Sequence, residues 1–217
     1  LVMIWGGSRR TEAGIRYLLF GAVSGLSLLA GVLALGWLNT NGLSFSYDAL
    51  TSASLSPRAQ TWVLALLLLA FGLKLPVIPL HGWLPLAYAQ APTPVVMVMA
   101  GAVSKLGAYG LLRFAVGFLP EAWTIWSPWI AILAAVTTVY GALNAIAQDD
   151  IRRLMAYSSL GHMGLVLLAV AAATPLGLQG AVAQMIAHGL IVALLFATVG
   201  LIERRTGTTK IAELSGL

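Results

Sequence analysis

Apolar residues along this chain come in long unbroken blocks. Stretches such as WVLALLLLAFGL (62–73) and IVALLFATVGLI (191–202) show no apolar–polar alternation. The strands of a membrane barrel alternate over segments of about 10 residues, whereas a spanning helix needs about 20 mostly apolar residues. The pattern therefore predicts an all-α integral membrane protein. About six spanning helices are expected, at 17–38, 62–80, 93–119, 123–147, 154–173 and 176–202. They form a single membrane domain over 1–217. The polar stretch 39–60, with its Ser, Gly and Asn, reads as an external loop. Leu1 to Trp5 read as the tail of an earlier apolar helix, and the first residue is not Met, so an internal segment of a longer chain is expected.

Composition narrows the class. Of the 217 residues, 59% are hydrophobic and only 9% are charged, against about 25% charged in a soluble domain. So few charges do not cover a globular surface. A disordered chain, a nucleic-acid-binding domain and a secreted disulfide scaffold are excluded. There is no cysteine, so no disulfide, thiolate metal site or iron–sulfur ligation forms within the chain. No phosphate-binding glycine loop or metal-ligand spacing stands out, and no cofactor or metal is expected in this chain. The net charge of +5 sets an orientation. With the loop before the first span on the cytoplasmic side, that side collects Arg9, Arg10, Arg16, Arg152, Arg153, Arg204, Arg205 and Lys210. Only Arg58 and Arg113 fall on the far side. This is the asymmetry of cytoplasmic loops.

The remaining basic residues lie inside the spans. Lys74 is 12 residues beyond Trp62, about 18 Å along a helix. Lys105 is 12 residues into the third span, His162 lies in the fifth, and His188 in the middle of the sixth. A lysine at the centre of a spanning helix costs about 2.5–3.5 kcal/mol. Such a lysine either snorkels or sits in a static ion pair, or it is held where it exchanges a proton. The histidines read either as satisfied packing groups or as proton carriers. All seven carboxylates fall in loops or at helix ends. Neither lysine then has an anionic partner at its depth within the chain, and buried charges need pairing. A partner outside this sequence, or a lysine neutral much of the time, is expected.

The second span carries Pro76 and Pro79 directly after Lys74. Each removes a backbone donor and disfavours helix through the preceding turn. They either end the helix or break it at membrane depth, which is tolerated inside protein or beside water and is a transporter feature. Ser104, Tyr109, Thr137, Thr138, Tyr140, Tyr157, Ser158, Ser159 and Gln184 add polar groups to the same spans. Together they outline a hydrated polar axis.

These residues stand in an order that resembles a known family. The stretch KLPVIPLHGWLPLAYAQAPTPVVMVMAGAVSKLGAYGLLRF (74–114), then AQDDIRRLMAYSSLGHMG (147–164), QMIAHGL (184–190) and ERRTGT (203–208), resembles the antiporter-like, proton-pumping membrane subunits of complex I and NDH-1. It is most similar to the M-type subunit of bacterial NADH:quinone oxidoreductase and the D-type subunit of the cyanobacterial and chloroplast complex. The resemblance implies a fold of about 14 spans of about 20 residues each, of which this chain is the middle, with one helix broken at Lys74–Pro76. It implies that Lys74 is the lysine of the broken helix, paired with a glutamate that should lie upstream of Leu1. Lys105 matches the lysine of the next helix, and His162 and His188 match the histidines that carry the route onward, toward a helix beyond Leu217. One departure is clear: the family commonly reads WLPDAH where this chain reads Trp83-Leu84-Pro85-Leu86-Ala87-Tyr88. The usual Asp and His are Leu86 and Tyr88.

The function that the resemblance implies is proton translocation by a non-redox subunit of an NAD(P)H or ferredoxin:quinone or plastoquinone oxidoreductase. Quinone, iron–sulfur clusters and the electron-donor site are then expected in partner subunits of a large hetero-oligomeric membrane arm, with lipid around it and no nucleic acid. The membrane is expected to be a bacterial cytoplasmic membrane or a thylakoid. The alternatives are a subunit of a multi-subunit sodium/proton antiporter or membrane-bound hydrogenase, and a membrane scaffold without transport.

Overall fold

The computed structural model describes residues 1–39, 42–52 and 55–214. Its elements in chain order are α1 (Val2–Trp5), α2 (Arg10–Trp37), α3 (Tyr47–Thr51), α4 (Pro57–Lys74), α5 (Leu84–Gln90), α6 (Thr93–Val116), α7 (Pro120–Ile146), α8 (Ile151–Ala171) and α9 (Pro175–Thr206), followed by a short turn at Ile211–Glu213. Among the described residues there is no strand; an antiparallel bridge joins Asp150 to Lys210.

Local chemistry sets most helix starts. Ser46, Ser56, Asp150 and Thr174 each accept a backbone N–H of the first turn, satisfying donors that a helix start leaves open. Pro57, Pro94, Pro120 and Pro175 stand in first turns, where a missing N–H costs nothing. α9 ends on Gly207 at φ 74°, a left-handed conformation that glycine adopts freely.

Among the described residues, α2, α6, α7, α8 and α9 are long and apolar enough to cross a membrane. These five, with α4 as the helix interrupted at the break, correspond to the six or so helices expected. The expected helix 62–80 starts earlier, at Pro57, and stops at Lys74. Pro76 and Pro79 supply no N–H, the chain runs through turns from 75 to 83, and helix resumes only at Leu84. The break expected at Lys74–Pro76 is therefore where the helix is interrupted. The Ile78–Pro79 peptide is cis.

Two apolar clusters hold the bundle. One joins Leu35, Leu64, Leu67, Phe71, Leu111, Phe118, Trp123, Met163 and Val166 toward the end that carries Arg113. The other joins Trp83, Leu84, Tyr88, Val96, Met99, Leu160, Val192 and Phe196 toward the arginine-rich end. Where the two clusters meet, Ser104 and Lys105 on α6 and His188 on α9 are buried, while Gln184 on α9 is half-buried and His162 on α8 is exposed.

The two ends match the charge asymmetry. At one end the Gly7 N–H donates to the Gln90 carbonyl at 2.9 Å, and Ile211 N–H to Asp149 at 2.8 Å. The Thr208 hydroxyl and Lys210 hold the Glu213 carboxyl below its usual range there. At the other end Gln60 Nε2 donates to Glu121 at 3.2 Å, and the Arg113 guanidinium lies 4.2 Å from the centre of the Tyr47 ring. The arginine-rich end is the inner one by the positive-inside rule.

Candidate functional site

Lys105 stands near the middle of α6, between two π-helical segments at Met99–Val103 and Leu111–Val116. Such segments recur at functional sites. The side chain is only 8% exposed. Its Nζ lies 2.8 Å from His188 Nδ1 and 3.3 Å from Ser104 Oγ, and it donates to the Ala100 carbonyl. The Ser104 hydroxyl is itself fixed on that carbonyl, donating at 3.0 Å. An ammonium has three N–H donors, and three acceptors surround it. No carboxylate among the described residues pairs with it.

His188 belongs to α9 and is buried. It reaches Lys105 because α6 and α9 touch backbone to backbone. A Cβ at Gly189 would stand 2.7 Å from the Gly101 carbonyl oxygen, so only glycine permits this crossing. The ring of His162 on α8 follows, its centroid 5.1 Å from that of His188 and tilted by 46°. Gln184 on α9 places Nε2 3.2 Å from His162 Nδ1. The order Ser104, Lys105, His188, His162, Gln184 thus draws one polar line across α6, α9 and α8.

Lys74 stands apart from that line. It is half-buried at the last position of α4, and no hydrogen bond or ion pair joins it to a described residue. The break beside it is built instead from backbone contacts. The Trp83 indole N–H donates to the Leu73 carbonyl at 2.9 Å, and the Thr137 hydroxyl accepts the Ile78 N–H at 3.2 Å. Thr138 turns back onto the Ala134 carbonyl, and Tyr109 faces outward. Both leave the line.

Two residues of the uncharged connection stand at the break; the sequence marks Tyr88 only as a departure from the pattern of the family it resembles, and His81 not at all. His81 packs edge-on against Tyr140, ring centroids 5.2 Å apart. It lines an inner cavity of about 200 Å³ together with Arg9, Arg16, Leu86, Arg153 and Tyr157. Tyr88 is fully buried between Trp83 and Phe196. The His81 Nδ1, Tyr88 hydroxyl and Ser159 hydroxyl are buried without a protein hydrogen-bond partner.

Comparison with known proteins agrees with this geometry. The chain is 45% identical over 217 residues to an NAD(P)H-quinone oxidoreductase chain 4 of Synechococcus sp. (strain JA-3-3Ab), covering 100% of this chain and 41% of that protein. It superposes on a chain of respiratory complex I from Thermus thermophilus with a TM-score of 0.92 and 34% identity, covering 99% of this chain and 46% of the other. A chain of the Mrp complex from Dietzia sp. DQ12-45-1b gives 0.84 and 30%, over 100% of this chain and 23% of that one. The chain therefore spans less than half the length of each of these relatives. The family model described as "NADH:quinone oxidoreductase/Mrp antiporter, TM" matches residues 1–217. With its apolar spans and its buried lysine–histidine pair, this chain belongs to that NADH:quinone oxidoreductase/Mrp antiporter transmembrane family.

Proposed function

We propose that this chain carries the middle of a proton route in a membrane subunit of an NAD(P)H or ferredoxin:quinone or plastoquinone oxidoreductase. The observation that carries the reading is the 2.8 Å contact between Lys105 Nζ and His188 Nδ1 in the buried seam. A charged lysine donates to a bare Nδ1, and a neutral amine accepts from Nδ1–H. One proton can therefore pass between them without movement of either ring or helix. An imidazole that gains the proton at Nδ1 releases another from Nε2, toward water and His162. The orphaned buried atoms of Tyr88 and Ser159 are groups that ordered water satisfies.

The chain itself would hold no redox centre. Quinone, iron–sulfur clusters and the electron-donor site would belong to partner subunits of the complex, and quinone reduction there would bias the protonation of Lys74 and Lys105. Lys74 would act as the entry lysine, paired with a carboxylate from outside this sequence. The likeness to the Mrp complex supports a sodium/proton exchanger as the second reading.

The test is Lys105→Ala in the full-length subunit, assembled in its complex in sealed membrane vesicles. Quinone reduction and internal acidification are followed together, with and without sodium. The proposal expects sodium-independent acidification that falls at least tenfold per quinone reduced, about 1.4 kcal/mol of lost coupling. Acidification unchanged by the substitution would refute it, and acidification that requires sodium without any quinone turnover would favour the exchanger.

A further inference from the structure

We propose that Arg152 is a positioning residue for the Lys105–His188 pair, and that it acts through the inner ends of the helices that carry them. The inference rests on the proton-transfer reading above. Arg152 is the second residue of α8 and is only 6% exposed. Its guanidinium donates to the Ala91 carbonyl at 2.7 Å and to the Thr93 hydroxyl at 2.7 Å. It also donates to Glu203 Oε2 from Nε at 3.1 Å and from Nη2 at 2.8 Å. Ala91 ends α5 below the helix break, Thr93 begins α6, and Glu203 lies near the end of α9. One buried side chain on α8 therefore ties three further helices together.

The clamp lies in direct line with the pair. Thr93 packs onto α9 where it has no side chain: a Cβ at Gly200 would meet Thr93 Cγ2 at 2.5 Å. From Thr93 to Lys105 and from Gly200 to His188 the chain runs the same 12 residues in opposite directions. The Gly101–Gly189 contact lies between these two levels. α6 and α9 thus form an antiparallel ladder, with Arg152 holding its foot and Lys105–His188 as its upper rung. A slide of one helix against the other at the foot changes the 2.8 Å separation at the rung. The planar guanidinium fork suits this task, because it meets three acceptors at fixed angles where an ammonium offers a point charge.

The test uses the full-length subunit in its assembled complex, with Arg152→Ala, Arg152→Lys and Thr93→Val compared with Lys105→Ala. Protons moved per quinone reduced are measured only on complexes that contain the subunit in normal amount. Misplacing reacting groups by about 1 Å costs on the order of 100-fold. The proposal expects Arg152→Ala to lower that ratio by about tenfold or more, Arg152→Lys to recover part of it, and Thr93→Val to give a smaller loss. Thr93→Val, which removes one acceptor at constant volume, decides the matter if Arg152→Ala fails to assemble. A ratio unchanged in every complex that assembles means that Arg152 only supports folding, and overturns the proposal. If Lys105→Ala also leaves the ratio unchanged, the proton-transfer reading falls first and the positioning role with it.

Discussion

Lys105 and His188 lie 83 positions apart in the chain, yet the Nζ of one stands 2.8 Å from the Nδ1 of the other. The lysine's other two donors are taken by Ala100 and Ser104. Among the described residues, the ammonium is therefore met by neutral acceptors. A carboxylate would hold the proton by charge, whereas an imidazole competes for it.

Lys105→Arg separates charge from proton exchange. A guanidinium keeps the positive charge but does not give up its proton under working conditions. The expected outcome is a complex that assembles with this subunit present and reduces quinone, but moves at least tenfold fewer protons, about 1.4 kcal/mol of coupling. Vesicle acidification by the purified complex reads this directly. Arginine that pumps like lysine would mean that only the charge at this position matters.

Gly189→Val tests the crossing that brings the pair together. The new Cβ would meet the Gly101 carbonyl, which is backbone and does not give way. Overpacking of this kind costs about 1–3 kcal/mol. The helices should separate, the complex should lose heat resistance by that order, and pumping should fall with the widened contact. Ala187→Val on the same helix is the control, since its position is exposed rather than closed by backbone.

Trp83→Phe tests the hinge of the broken helix. It keeps the packing against Tyr17 and Tyr88 but removes the donor on the Leu73 carbonyl. A buried acceptor left open costs about 1–3 kcal/mol. Reduced thermal stability of the subunit is expected, read by its loss from the complex on heating. Equal stability would show that water replaces the indole there.

Leu86→Asp should be tolerated, although Leu86 is only 6% exposed. Its side chain lines the cavity that also presents Arg9, Arg16 and Arg153, and Glu12 already pairs with the first two at 2.7 and 2.8 Å. A further carboxylate finds cations within the same space. Leu84→Asp, two positions away in the same apolar cluster but not on that cavity, buries an unpaired charge at a cost of several kcal/mol and should abolish assembly. The subunit content of the two purified complexes discriminates between them.

The helices and their sides were legible because their signals are local. An apolar run of spanning length, a Ser or Asp before it and arginines at one end report on neighbours in sequence. The bounds of the second span were less legible for the same reason. Summed apolar character runs on through Leu75, Val77, Ile78 and Leu80, while the backbone stops being helical at Lys74. The prolines marked the break, but not that the helix would begin as early as Pro57. What His81 and Tyr88 pack against was not legible, because an uncharged connection gives no sign of which residues the fold brings to it.

The sequence by itself determined an integral membrane helix bundle and pointed to Lys74, Lys105, His162 and His188 as titratable residues in its apolar segments, since insertion depends on local length, apolarity and charge. Only the tertiary structure decided that Lys105, His162 and His188 share one line while Lys74 stands outside it. That choice depends on helix rotation and on how closely two backbones approach. Both are set by non-local packing at glycines such as Gly101 and Gly189, whose partners lie most of a hundred residues away.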